Sequence, residues 1–163
     1  MSDLEFWSED KRFALKIHNR EISQLLKVCV RAGVQETGGI LVGFYTELHN
    51  CAVITSISDA PSDSHSGHNW FYRGTHDLQQ WLNRLWMRDK KQYYLGEWHF
   101  HPFSNSNPSE IDISQMQKIG ESSSYQCPEP LLLIIGGDPN NQWNMKAYIF
   151  PRNYPQIELI IYN

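Results

Sequence analysis

GEWHFHPFSNSNPSEID, residues 96–112, is the stretch on which the reading of this chain turns. Its first part belongs to QYYLGEWHFH (92–101), apolar and aromatic enough for a β-strand, which Pro102 would end. Side chains on a strand alternate between faces, so His99 and His101 project together while Phe100 points the other way. The polar run FSNSNP follows, and Ser109 with Asp112 three residues on is a capping pattern for a helix start. A strand end and a facing helix start can aim two imidazoles and one carboxylate at a single point. Two neutral nitrogens and one carboxylate oxygen, with the fourth position open to water, make a catalytic zinc set. Zinc held this way lowers the pKa of water from about 15.7 to about 7 and supplies a nucleophile at neutral pH.

A hydrolase also needs a group that takes a proton from water and hands it to the leaving amine. Glu36 is the first candidate, at the head of ETGGILVG (36–43), where Gly38 and Gly39 allow close backbone approach. Glu97 competes, since on a regular strand it shares the face of His99 and His101. It would project one pleat deeper, where a structural role is more natural.

Working outward, residues 11–18 alternate as a first strand, and Asn19 is placed to cap a helix over 20–32 with Gly33 just past its end. Cys29 falls on the apolar face of that helix and reads as a small core residue. Residues 38–45 and 51–57 are strand-like. The turn-rich segment 58–75 ends in the aromatic trio Trp70, Phe71 and Tyr72, read as anchoring residues or as a contact for a substrate tail. An amphipathic helix is expected over 76–89, a buried strand at 131–136, and closing strands at 142–150 and 156–162. No repeat or linker divides residues 1–163, so one domain is expected, an α/β sandwich with a mixed sheet.

Composition narrows the class further. The chain is 40% hydrophobic and 20% charged with a formal charge of −4, which offers no attraction for nucleic acid. The cluster Arg84, Arg88, Lys90 and Lys91 reads as the solvated C-terminal end of a helix. Cys29, Cys51 and Cys127 are too scattered for a disulfide framework or a thiolate metal site. No signal peptide is apparent, and the longest apolar run, Leu131 to Ile135, is too short for a membrane span. A reducing, cytoplasmic setting is expected. His65 and His68 lack a completing ligand other than Asp63 and are not expected to hold a second metal.

His99-x-His101-Pro102, six residues, Ser109, two residues and Asp112 resemble the complete motif of the JAMM (JAB/MPN-domain) zinc metalloproteases. Glu36-x-x-Gly39-x-Leu41-x-Gly43 is similar to the segment that supplies that family's general base, and Gly96 also fits. The resemblance runs from about residue 20 to residue 150. It implies one zinc per chain on His99, His101 and Asp112, with Glu36 activating water and Ser109 donating a hydrogen bond to the reacting oxygen. It implies a three-layer sandwich like that of cytidine deaminases. The implied activity is hydrolysis of the amide after the C-terminal glycine of a ubiquitin-like protein, in maturation or deconjugation. Such a chain without appendages looks like the prokaryotic members, similar to enzymes of ubiquitin-like conjugation and antiphage systems, with activating or conjugating enzymes as partners. Phe100 departs from the Ser or Thr of many members, and altered packing rather than lost zinc is expected. A non-catalytic scaffold is the alternative. A nucleobase deaminase would need a His-x-Glu segment and a Pro-Cys-x-x-Cys pair, and neither is present.

Overall fold

The computed structural model describes residues 1–162. The expected three-layer sandwich is not what forms: eight strands close into a barrel, in the order β1-β10-β9-β8-β7-β3-β4-β2. These are β1 (Leu4–Trp7), β2 (Ala14–Ile17), β3 (Thr37–Tyr45), β4 (Cys51–Ile57), β7 (Tyr93–Pro102), β8 (Leu131–Gly137), β9 (Trp143–Ile149) and β10 (Ile157–Ile161). The expected mixed pairing survives, with β2/β4 and β7/β8 parallel and the other ladders antiparallel.

The strand that changes the architecture is β1, LEFW, in a stretch whose acidic and aromatic composition gave no strand signal. It pairs on one side with β2 (Leu4↔Ile17) and on the other with β10 (Phe6↔Ile161), so a sheet that would have two free edges has none. Bulges in the two partners of β3, at Thr55 of β4 opposite Val42/Gly43 and at Leu95 of β7 opposite Leu41/Val42, add the bend that closure requires.

Alternation along the strands then sorts residues to the inside or the outside. Leu15, Leu41, Ile54, Leu95, Trp98, Phe100, Leu133 and Ala147 enter the main core, joined by Ile22, Leu25, Val28 and Cys29 from α1 (Asn19–Ala32). Phe100 is thus a core residue, buried on the face away from the two histidines. On the outer face, α3 (Glu110–Glu121) packs Met116 and Ile119 against Leu132, Ile134, Tyr148 and Phe150. Likewise α2 (Leu78–Trp86) lays Leu85 over Ile40 and Val42. Thus α2 and α3 cover the outside of the barrel while α1 packs into the main core, instead of the helices forming layers on an open sheet. Asn19 is not the cap of α1; His18 occupies that position, and the Asp3 carboxylate accepts the Asn19 backbone N–H at 2.9 Å. Lys90 and Lys91, past the end of α2, lie over the Phe44 and Trp86 rings at 4.0 and 4.6 Å. Segment 58–75 carries a small hairpin, β5 (His65–Ser66) with β6 (Phe71–Tyr72).

Candidate metal centre

The C-terminal end of β7 and the first turn of α3 meet on the outside of the barrel. His99, His101 and Asp112 are all buried there, and one ligand atom from each lies within 4.8 Å of the others. His99 Nδ1 is 2.8 Å from Asp112 Oδ1. His101 Nδ1 lies 3.2 Å from the Asn105 carbonyl, to which its N–H donates, so the lone pair sits on Nε2. That Nε2 is buried without a hydrogen-bond partner; Asp112 Oδ2 is 3.2 Å away but outside hydrogen-bonding geometry. A buried imidazole nitrogen with an idle lone pair, a second imidazole and a carboxylate fit a divalent transition metal such as zinc.

Both roles foreseen for Ser109 and Asp112 in the capping pattern are realised. The Ser109 hydroxyl accepts the Asp112 backbone N–H at 3.1 Å, and the Ser109 N–H donates to Asp112 Oδ2 at 2.8 Å. The capping box fixes the carboxylate against rotation, and the Ser109 O–H proton stays free for an acceptor in the cavity. Burial alone would raise the Asp112 pKa, but its contacts with His101 and His99 and the Ser109 N–H hold it well below the carboxylate range. For His101, burial opposes the charged form, and Asp112 outweighs it to raise the pKa. Bound metal would replace this pairing.

Glu36 immediately precedes β3, whose ladder with β7 pairs Thr37 with Phe100 and Gly38 with His99. One residue further along, Glu36 comes level with His101. Its backbone N–H is held by the Gly67 carbonyl at 2.9 Å. Burial chiefly raises its pKa, and Asp112 adds to this while His101 and His99 oppose it. Glu36, His101 and Ser109 line one open cavity of about 410 Å³. The close approach expected at Gly38 is present: a Cβ there would come 2.8 Å from Phe71 and 2.9 Å from the His99 ring. Phe71 in turn meets the His99 ring edge-on at 5.5 Å. Of the aromatic trio, Phe71 is thus buried against the site, while Trp70 and Tyr72 remain exposed.

Glu97 is differently placed. Arg73 Nε and Nη2 donate to its two carboxylate oxygens at 2.6 and 2.9 Å, and the Tyr94 hydroxyl donates at 2.7 Å. Arg73 also donates to Tyr125 Oη at 2.7 Å. Burial, then the charge of Glu97, pushes the Tyr94 phenol well above its ordinary value and keeps it a donor. Glu97 thus has no free oxygen facing the cavity. His68, considered only as a metal ligand, lines the cavity, as do Asn69, Asn105 and Asn107, which were missed because amides in turn-rich loops carry no spacing signal. Asp63 is occupied by the Thr75 and His76 N–H groups, and no second three-residue metal cluster forms among the described residues.

A His-x-His strand end facing a capping-box aspartate, with a glutamate just before the neighbouring strand, defines the class, and the comparisons agree. Residues 18–148 match the family described as prokaryotic homologs of the JAB domain, and the chain belongs to that family. Two similar proteins share the name CD-NTase/cGAS isopeptidase. One, from Enterobacter hormaechei subsp. hoffmannii, is 39% identical over 159 residues, covering 98% of this chain and 87% of its own length. The other, from Escherichia coli, is 33% identical over 103 residues, covering 63% of this chain and 62% of its own. The solution structure of a Desulfitobacterium hafniense protein superposes with a TM-score of 0.58 at 16% identity, covering 90% of this chain and 88% of that one. At that identity the likeness shows the fold alone.

Proposed function

We propose that this chain is a zinc-dependent isopeptidase that hydrolyses the amide joining the C-terminal tail of one protein to an amine of another. The observation that carries this reading is the buried set of His99, His101 and Asp112 with the idle His101 Nε2, beside a cavity that also holds Glu36. The name shared by the two relatives supports amide hydrolysis of the isopeptide kind. His99, His101 and Asp112 would hold one zinc per chain, which supplies Lewis acidity and a water of lowered pKa. Glu36 takes the proton of the attacking water and returns it to the departing amine, so that water is consumed and a carboxylate and a free amine leave. The Ser109 hydroxyl donates to the oxygen that gains charge at the attacked carbonyl. The Asn105 carbonyl orients His101, as an outer hydrogen bond to a ligating imidazole should.

For the substrate, the shared name points to conjugates of a CD-NTase, and the family resemblance to the tail of a ubiquitin-like protein. Either bond would be made by activating and conjugating enzymes, in an antiphage setting and in the cytoplasm. No helix among the described residues is long and apolar enough to cross a membrane.

The test uses C-terminal tails of CD-NTases and of ubiquitin-like proteins, each joined by an amide to a fluorescent reporter. The protein as purified without chelator should carry about one zinc per chain and cut at least one fusion. Cleavage should cease with a chelator and return with zinc. Zinc near zero even after zinc is added, or unchanged cleavage in the metal-stripped protein, would sink the reading in favour of a scaffold.

A further inference from the structure

Phe103 is the residue immediately after the histidine segment, and nothing in the fold accounts for it. Six non-glycine residues have left-handed backbone among the described residues: Lys11, His49, Asp77, Phe103, Gln126 and Asn153. Five are polar; Phe103, at φ 55°, is the apolar exception. Left-handed backbone is costly for a bulky side chain, and such strain persists only when the surroundings impose it. Here the surroundings are backbone. The Phe103 N–H donates to the Gly137 carbonyl at 2.9 Å, and the Ser104 N–H to the His101 carbonyl at 3.3 Å. A Cβ on Gly136 would lie 2.6 to 2.8 Å from Ser104, Asn105 and Ser106 backbone atoms, so the loop is seated directly on β8.

The ring itself does none of this. Phe103 is 64% exposed and belongs to none of the three hydrophobic clusters. Glycine or asparagine would suit the backbone better, and a polar residue would suit the solvent better. Its sequence neighbours Pro102 and Ser104 both line the cavity that holds Glu36 and His101. The loop thus holds an exposed apolar ring between two residues that line the cavity, in a conformation that strains it.

We infer that Phe103 is a substrate-contact and specificity residue: its ring is the apolar surface on which a side chain flanking the scissile amide packs. This rests on the isopeptidase reading. The contact would contribute to substrate capture rather than to chemistry, because the ring has no group that can move a proton.

The experiment compares Phe103→Asn with Phe103→Leu on the tail–reporter fusion that the parent cuts fastest. Asn tolerates the left-handed backbone and removes the apolar surface; Leu keeps apolar bulk and the strain. Phe103→Asn should keep its zinc, melt at the parent's temperature or above it, and lose about tenfold or more in kcat/KM, mostly through KM. Phe103→Leu should recover most of that loss. Fusions with alanine in place of each apolar residue flanking the bond should, at one position, cost the parent activity but not Phe103→Asn. Equal kcat/KM in Asn and parent overturns the inference and leaves the isopeptidase reading intact. A melting temperature several degrees lower for Asn overturns it as well, since the ring would then be holding the loop. If the parent cuts none of the fusions and binds no zinc, the reading and this inference fall together.

Discussion

Two carboxylates flank the imidazoles of β7, and their surroundings treat them in opposite ways. At the C-terminal end Glu36 opens onto the cavity with its charge opposed by burial and answered by no cation other than the histidines themselves. In mid-strand Glu97 is 3% exposed and fully engaged by Arg73 and Tyr94. Both are buried and both lie near the same metal set, so burial does not distinguish a reactive carboxylate from a structural one. The partner does. A paired carboxylate stabilises the fold and is chemically spent, whereas an unpaired one costs stability and keeps its affinity for a proton.

The contrast breaks if the two glutamates respond alike to loss of charge. Glu36→Gln should lower cleavage by about 10²- to 10⁴-fold while zinc stays bound, the usual loss for a missing general base. Glu97→Gln should leave cleavage within about tenfold when assayed well below its melting temperature. Its cost should appear in folding instead: an Arg73 guanidinium buried without its counter-charge destabilises by about 3–5 kcal/mol, measured in denaturant titrations. Replacing both members, Arg73→Met with Glu97→Met, should recover much of that loss, because no unpaired charge remains. A Glu97→Gln variant that is inactive yet as stable as the parent would reverse the two assignments.

The pattern of partners explains what was legible in advance. His99, His101 and Asp112 follow from local rules, the two-residue period of a strand and the three-residue spacing of a capping box, and such rules survive whatever the rest of the chain does. The strand period set Glu97 one pleat deeper than the histidines and so favoured Glu36, but its partner Arg73 was not foreseen, because it comes from a turn-rich segment with no periodic signal. Barrel closure was illegible for the same reason on a larger scale. It depends on Phe6 meeting Ile161, contacts between opposite ends of the chain, through a four-residue strand whose composition resembles a loose terminus. The expected sandwich assumed that a mixed sheet keeps its edges, and β1 removes them.

The same asymmetry has a smaller consequence in the dependence of stability on pH, best read on metal-free protein. Glu36 has a folded pKa above its unfolded value of about 4.3, so ionisation favours the unfolded state. The penalty is absent below that value and grows as pH rises through the folded pKa. Glu36→Gln should therefore raise the melting temperature at pH 7, and the gain should fade as pH falls toward 4. Asp112 runs the other way. Its folded pKa is depressed, so its contribution is present above an unfolded value of about 3.9 and is lost as pH falls below it. A Glu36→Gln protein less stable than the parent at neutral pH would mean that the carboxylate has a partner after all.

The smallest stability effect sharpens the comparison at Ser109, where one side chain is both cap and candidate donor. Glycine is a tolerable N-cap, so Ser109→Gly should cost only a few tenths of a kcal/mol, against about 1 kcal/mol for Ser109→Ala. If the hydroxyl serves only as the cap, cleavage should follow stability and barely change in the glycine variant. If it also donates to the charged oxygen of the substrate, both variants should lose activity alike, by about 10²-fold or more, despite their different melting temperatures. The Asp112 N–H loses its acceptor in either variant, while the Ser109 N–H bond to Oδ2 persists, so the metal set keeps its anchor and zinc content should not move. Equal activity of Ser109→Gly and parent would confine Ser109 to the capping box and leave Glu36 as the proposed proton carrier without a neighbouring donor.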